Sequence, residues 1–309
     1  MAAMNPGAVA YFEGQYVPSE EARISIMTHG FNYGTGLFEG IRGYYVPDED
    51  NILVFRLKEH IDRMLRNCNV LCMELAESRE QIEEICVELV RRSGFKEGVY
   101  LRPLCYKSEL SLGPKVRGVE SSFCCYLIKL GDYCDTKSGL NVMVSSWRRV
   151  SDNAMPTRIK ATGSYVNSAL AATEARQAGF DEAVFLREDG TVAEGSAMNI
   201  FMVMDGKLIT TPANADILVG ITRNTVLELA KEELGLEVIE RPIARTELYV
   251  CDELFFTGTG AQVAPVRSVD QRLVGGGVPG PVSTRLQDVY FDVVQGKVEK
   301  YRKWCTAVY

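Results

Sequence analysis

The sequence has almost no histidine: only His29 and His60 occur in 309 residues. General acid–base chemistry must then rest on lysine, tyrosine or carboxylates. The same scarcity argues against zinc, and no metal site is expected. The nine cysteines contain no C-x-x-C, the nearest pairs being Cys68 with Cys72 and the adjacent Cys124 and Cys125. An odd cysteine count without a secretory signal argues against a disulfide framework, so the cysteines read as small buried hydrophobes. Long hydrophobic runs are missing too, and nothing approaches the ~18–20 uncharged apolar residues of a membrane span. The opening "MAAMNPGAVAYFEGQYV" has neither the basic nor the apolar region of a signal peptide. A cytoplasmic protein without a membrane partner is expected. Excess positive charge is also absent: the net charge is -7, so nucleic acid is a poor partner.

What is there is an ordinary globular balance, 46% apolar and 24% charged, in a length that suits one large or two smaller domains. Early strands are expected in "AVAYFEG", "QYV", "GIRGYYV" and "NILVF". In "RLKEHIDRMLRNCNVL", Leu57, Ile61, Met64, Leu65 and Cys68 share one helical face. "SREQIEEICVELVRRSG" opens on a capping-box pattern at Ser78 and stops at Gly94. "GVYLRPLCY" and "SSFCCYLIKL" read as strands of one sheet. The polar stretch 131–139, "GDYCDTKSG", is the expected interdomain loop, separating an N-terminal domain (1–130) from a larger C-terminal one (140–309). In the second half, hairpins are expected at Asp189–Gly190 and Asp205–Gly206. Helices are expected from Tyr165 to Gly179, over "TRNTVLELAKEELG" and over "VSTRLQDVYFDVVQG". The chain reads as α+β with two mixed-sheet domains.

Five features invite chemistry, although each alone has a plain structural reading. Lys160 stands in "PTRIKATGSYVNS" among Ala161, Thr162, Gly163 and Ser164, with Asp152 and Glu174 as its nearest carboxylates in sequence. Thr222, after Gly220 and Ile221, is the expected N-cap of a helix whose first amides suit an anion. The Gly258–Thr259–Gly260 turn lets backbone approach a ligand but lacks the third glycine of a dinucleotide fingerprint. Glu194 ends a strand lined by small and apolar residues. Arg63 lies on a helical segment after Glu59–His60. Together they supply an amine for a Schiff base, anion donors and an acid for a ring nitrogen, which is the set pyridoxal phosphate requires.

The segments "THGFNYGTGLFEGIRGY", "FRLKEHIDRM", "VYLRPL", "SSWRR", "PTRIKATGSYVNS", "VAEGSAMNIF", "GITRNTVLELAKEELG" and "DELFFTGTGAQVAPVRSVD" follow one another in this order. In these the chain resembles the class IV (fold-type IV) pyridoxal-phosphate aminotransferases, most closely the branched-chain amino acid aminotransferases. The likeness runs from about Tyr11 to Tyr290. It implies the D-amino acid aminotransferase-like fold, and transfer of the amino group of leucine, isoleucine or valine to 2-oxoglutarate. By that resemblance Lys160 is the catalytic, cofactor-bearing lysine, Tyr165 bonds the cofactor's phenolic oxygen and Glu194 its pyridine nitrogen. Arg63, the amides of Ile221 and Thr222 after Gly220, and Thr259 beside Gly258 would hold its phosphate. Tyr100, Arg102 and the Thr259–Gly260 turn would bind the substrate carboxylate. Phe38 and Tyr33 would line the side-chain pocket, with Tyr33 reaching across a homodimer interface, and Tyr133 would close over the substrate. "EGSAMN" departs from the family's frequent E-G-S-G pattern followed by glutamate: Ala197 and Met198 stand there, which would leave a cation such as Arg42 differently paired. D-amino acid or (R)-amine transamination and aminodeoxychorismate lyase activity on the same fold stay open. So does a noncatalytic protein of this fold, while an oxidoreductase lacks its fingerprint.

Overall fold

The computed structural model describes residues 9–131 and 137–309. Tyr133 and most of the expected interdomain loop lie outside the described residues. The chain forms two compact units, one of Met1–Gly131, Ile159–Gly163 and Asp292–Tyr309, the other of Asp132–Arg158 and Ser164–Phe291. The sequence boundaries differ from this division in two places. Both the segment around Lys160 and the last stretch of chain join the first unit, because each adds backbone hydrogen bonds to a strand made much earlier.

In the first unit, β1 (Val9–Phe12), β2 (Gln15–Pro18), β3 (Gly36–Phe38), β4 (Ile41–Val46), β5 (Asn51–Phe55), β6 (Val99–Lys107) and β7 (Ser121–Lys129) form one sheet with the strand Cys305–Ala307. Its order is Cys305–Ala307, β5, β4, β6, β7, β1, β2, with β3 also on β6. The pairings are antiparallel. β3 and β4 run in a single register along β6, with Phe38 opposite Leu104 and Ile41 opposite Leu101. Between them Glu39 N–H donates to Pro103 O at 2.9 Å, and proline has no N–H to give back. The ladder breaks there for want of one donor, so a single strand reads as two.

A short helix α1 (His29–Tyr33) precedes β3, and α2 (Leu57–Val70) and α3 (Arg79–Ser93) cover one face of the sheet. The expected face of α2 is the buried one: Leu57, Ile61, Met64 and Cys68 join Leu37, Ile41, Ile52, Val54 and Leu101 in the core. Full burial of each such aliphatic chain stabilises by about 1.5–3 kcal/mol. The capping box of α3 is present, with Ser78 accepting from the Gln81 amide, and Gly94 ends the helix at φ 62.

The second unit contains β8 (Leu140–Arg148), α4 (Tyr165–Gln177), β9 (Glu182–Leu186), β10 (Val192–Gly195), β11 (Asn199–Met204), β12 (Lys207–Thr210), α5 (Ile221–Glu232), β13 (Val238–Glu240), β14 (Glu253–Gly258), β15 (Gln262–Val269), β16 (Arg272–Leu273) and most of α6 (Pro281–Val294). The sheet order is β10, β9, β8, β15, β14, β11, β12, β13, with β16 on β15. It is mixed, since β8 runs parallel to both β9 and β15, and β12 parallel to β13. Both expected hairpins form. At the second, Asp205 (φ 51) and Gly206 (φ 72) are both left-handed, as a two-residue Asp–Gly hairpin turn demands. The architecture is α+β.

One side chain makes three of the hydrogen bonds that hold the C-terminal residues. Asn51 Nδ2 donates to Tyr309 O at 2.7 Å, while its Oδ1 accepts from Val308 N at 3.1 Å and Tyr309 N at 2.9 Å. Val308 is buried in the core. Asn51→Ala removes all three bonds at once and is expected to lower unfolding stability by about 1–3 kcal/mol. Urea denaturation checks it, and an unchanged midpoint would refute the latch.

Candidate active site

The reason Lys160 has small neighbours is visible in the first unit. Lys160–Gly163 lies along the edge of β3 as an added antiparallel segment. Phe38 N donates to Lys160 O (3.1 Å), Thr162 N to Gly36 O (2.9 Å) and Gly163 N to Gly34 O (3.1 Å). The Thr162 hydroxyl donates to Gly34 O at 2.8 Å. A Cβ on Gly34 would sit 2.8 Å from the Gly163 Cα, so neither backbone leaves room for a side chain there. The small residues serve this strand pairing.

Pairing also decides which way Lys160 faces. Ile159 and Ala161 point into the core with Leu37, and side chains alternate along a strand. Lys160 therefore shares the opposite face with Phe38, and its Nζ lies 5.1 Å from the Phe38 ring centre. On β6, Tyr100 and Arg102 alternate with buried Val99 and Leu101 and reach the same face. The Arg102 guanidinium stacks 4.5 Å over Phe38 and donates to the Tyr100 hydroxyl at 3.2 Å. Gly40 is required here, because a Cβ would collide with that hydroxyl. Arg42 donates to Gly131 O at 2.7 Å and lies 5.4 Å over the Tyr44 ring. One sheet face thus combines an amine, two guanidiniums and an aromatic wall.

Arg63 projects from α2. It is 8% accessible and grips Glu39 through Nε (2.7 Å) and Nη2 (2.6 Å). His60 Nδ1 meets the same carboxylate at 2.8 Å. Burial pushes the Glu39 carboxyl up, but the Arg63 charge and the bonds from His60 and Arg63 outweigh it and hold it well below the usual range. His60 is lowered, chiefly by burial, with Glu39 pulling the other way. Tyr33 is partly exposed, and its hydroxyl accepts from Gly113 N at 2.9 Å.

In the second unit, Glu194 lies near the end of β10 at 5% accessibility. Arg149 Nη2 lies 3.0 Å from its Oε1, and Asn199 Nδ2 donates to its Oε2 at 3.1 Å. Asn199 also donates to Leu218 O at 2.8 Å, and its Oδ1 stands where a side chain on Gly220 would go. Gly220, not Thr222, is the N-cap of α5, and no side chain caps it. Thr222 falls inside the first turn because Asn199 leaves only a glycine at the cap. The first-turn amides then point away without a capping oxygen. Opposite Asn199 on β14, Thr257 is fully buried, and its Oγ1 has no hydrogen-bond partner among the described residues. Gly258, Thr259 and Gly260 follow it, half-buried, in the turn into β15, and Tyr165 opens α4. Met198 is buried in the core of this unit. Sequence reasoning passed over Arg149 and Asn199. The signals were the arginine pair of "SSWRR" and a polar Asn opening the apolar run "NIFMVM".

An uncapped helix start cradled at a glycine suits a phosphate, and an anchored carboxylate suits a protonated ring nitrogen. A family profile described as amino-transferase class IV matches residues 36–269. The chain belongs to the class IV aminotransferases. A probable branched-chain-amino-acid aminotransferase of Aquifex aeolicus is 51% identical over 300 residues, which cover 97% of this chain and 96% of that one. The crystal structure of the branched-chain aminotransferase from Thermoproteus uzoniensis with norvaline has a TM-score of 0.93 at 41% identity, covering 97% of this chain and 99% of that one. The branched-chain amino acid aminotransferase from Thermobaculum terrenum in its PLP-form (holo-form) has a TM-score of 0.92 at 36% identity, covering 99% of this chain and 100% of that one. The cofactor of this aminotransferase is pyridoxal phosphate, and the donors described above fit it.

The Glu39 cluster makes the aminotransferase acid-sensitive in a defined direction. Glu39→Ala removes the carboxylate from a buried guanidinium and is expected to cost about 3–5 kcal/mol of stability. A depressed carboxyl contributes its stability above the ordinary value of 4.5 and loses it as pH falls through the folded value. His60 adds a loss below its ordinary 6.5, where the unfolded chain takes a proton that the folded one resists. Denaturation of wild type and Glu39→Ala across acid pH should show the wild type's advantage shrinking as pH drops. A constant advantage would contradict this.

Proposed function

We propose that the protein transfers the α-amino group of leucine, isoleucine or valine to 2-oxoglutarate, giving branched 2-oxo acids and L-glutamate in a ping-pong cycle. The observation that carries the reading is the cross-strand pair of Lys160 with Phe38, on the sheet face that also presents Tyr100 and Arg102. Amine, apolar wall and carboxylate donors are what an apolar amino acid needs. The full-length similarity to proteins named branched-chain-amino-acid aminotransferases supports the same substrate class.

Bound pyridoxal phosphate supplies the electron sink that makes the substrate α-proton labile. Lys160 would hold the cofactor covalently and, once displaced by substrate, would take the α-proton from the amino acid in one half-reaction and deliver one to the α-carbon of the oxo acid in the other. Glu194 accepts the ring N–H, and Tyr165 bonds the phenolic oxygen. The phosphate is held by Arg63, by the amides of Ile221 and Thr222 after Gly220, and by Thr259 beside Gly258. Tyr100, Arg102, Thr259 and Gly260 orient the substrate carboxylate. Phe38 and Tyr33 would shape the side-chain pocket.

The partners are small amino and 2-oxo acids together with a second copy of the chain. Ile26 (80%), Phe31 (67%) and Leu112 (85%) are exposed beside α1 and the Gly113 turn that receives Tyr33, an apolar cluster that suits a homodimer contact. No helix among the described residues is long and apolar enough to cross a membrane. The cysteines among the described residues are free thiols, in keeping with the cytoplasm.

The purified protein should show a cofactor band near the visible edge that bleaches with L-leucine. Bleaching only with D-alanine or (R)-1-phenylethylamine would keep the fold and overturn the substrate. Lys160→Ala should lose the band and all turnover, and retained activity would sink the assignment of Lys160.

A further inference from the structure

Glu194 is buried, and a carboxylate out of water needs a partner of opposite charge. The partner is Arg149, 6% accessible and 3.0 Å away. Arg149 is itself held on several sides. Its backbone N–H donates to Leu186 O (2.9 Å), its Nε donates to Asp216 O (3.2 Å), and its guanidinium carbon lies 5.7 Å from the centre of the Phe185 ring. The Asp216 carboxylate is engaged elsewhere, accepting from Arg187 Nε at 2.9 Å and from Asp152 N at 3.0 Å. Glu194 is therefore the carboxylate, among the described residues, that receives the Arg149 charge. On its second oxygen Glu194 meets a neutral amide, that of Asn199.

We infer that Arg149 is a positioning residue for the aminotransferase: by holding Glu194 as a charged acceptor, it keeps the proton on the cofactor's ring nitrogen. The inference rests on the reading of Glu194 as the ring-nitrogen partner. A buried carboxylate deprived of its guanidinium is stabilised by taking up a proton. The nearest source is then the ring N–H itself. Proton transfer to Glu194 leaves a neutral ring and a neutral acid, with no change in the number of protons, and the ring loses the positive charge that draws electrons from the substrate. Asn199, tied to Leu218 O, fixes the direction of the carboxylate but carries no charge to hold it ionised.

The test uses holoenzyme reconstituted with pyridoxal phosphate labelled with nitrogen-15 in the ring. Wild type should give the signal of a protonated ring nitrogen. Arg149→Gln should move it toward the neutral signal and weaken cofactor binding about ten-fold, the scale of a lost charged hydrogen bond. Arg149→Lys should restore most of both. Arg149→Gln with the wild-type nitrogen signal and wild-type affinity would overturn the inference, while a wild type that binds no pyridoxal phosphate would instead defeat the functional reading. The double variant Glu194→Gln/Arg149→Gln buries no lone charge and covers the case in which Arg149→Gln fails to fold. If Arg149 acts through Glu194, the double variant matches Glu194→Gln alone in cofactor affinity. Additive losses would mean that Arg149 serves only the fold.

Discussion

A charge taken out of water must meet its opposite, and this constraint organises both units around one carboxylate–guanidinium pair each. In the first unit Glu39 grips Arg63, and His60 shares the carboxylate. In the second Arg149 grips Glu194, and Asn199 shares it. The two pairs are used in opposite senses. The first leaves an arginine fixed in plane by a bidentate carboxylate, and the second leaves a carboxylate fixed by an arginine. Bidentate pairing sets orientation as well as charge, so Glu39 fixes the direction in which Arg63 points, while Arg149 and Asn199 together fix that of Glu194.

Local chemistry was legible in the sequence wherever the cause is local. The buried stripe of α2, the Ser78–Gln81 box, the stop at Gly94 and the two Asp–Gly hairpins each depend on residues within a few positions of one another. Glu194 and Gly220 were picked out for similar reasons. What stayed hidden depends on partners far apart in the chain. Nothing near Pro103 says that its missing N–H interrupts the strand formed by β3 and β4, and nothing near Glu194 names Arg149. The cap of α5 was misplaced on Thr222 because the residue that forbids a side chain at position 220 is Asn199, on another strand.

Around Lys160 one short segment both completes the fold and presents a side chain. In that segment Gly163 lies against the Gly34 backbone, where a Cβ would come 3.2 Å from the Gly34 carbonyl oxygen. The strand pairing that needs these residues also turns the lysine toward Phe38 and away from the core. Fold and chemistry therefore draw on one feature. A larger residue at Gly163 would act on the amine by moving the backbone that carries it.

The first unit is assembled from the beginning, the middle and the end of the chain, and this imposes an order on its synthesis. A growing chain can lay the Lys160 segment on β3 well before Cys305–Ala307 has left the ribosome. Until then β5 is the bare edge of the sheet, and its residues, Asn51–Phe55, are all buried in the finished protein. An uncovered apolar edge is a template for other strands. Nascent chains, and molecules clipped before Cys305, are consequently the forms of this protein most open to self-association, and β5 is the strand through which they would join.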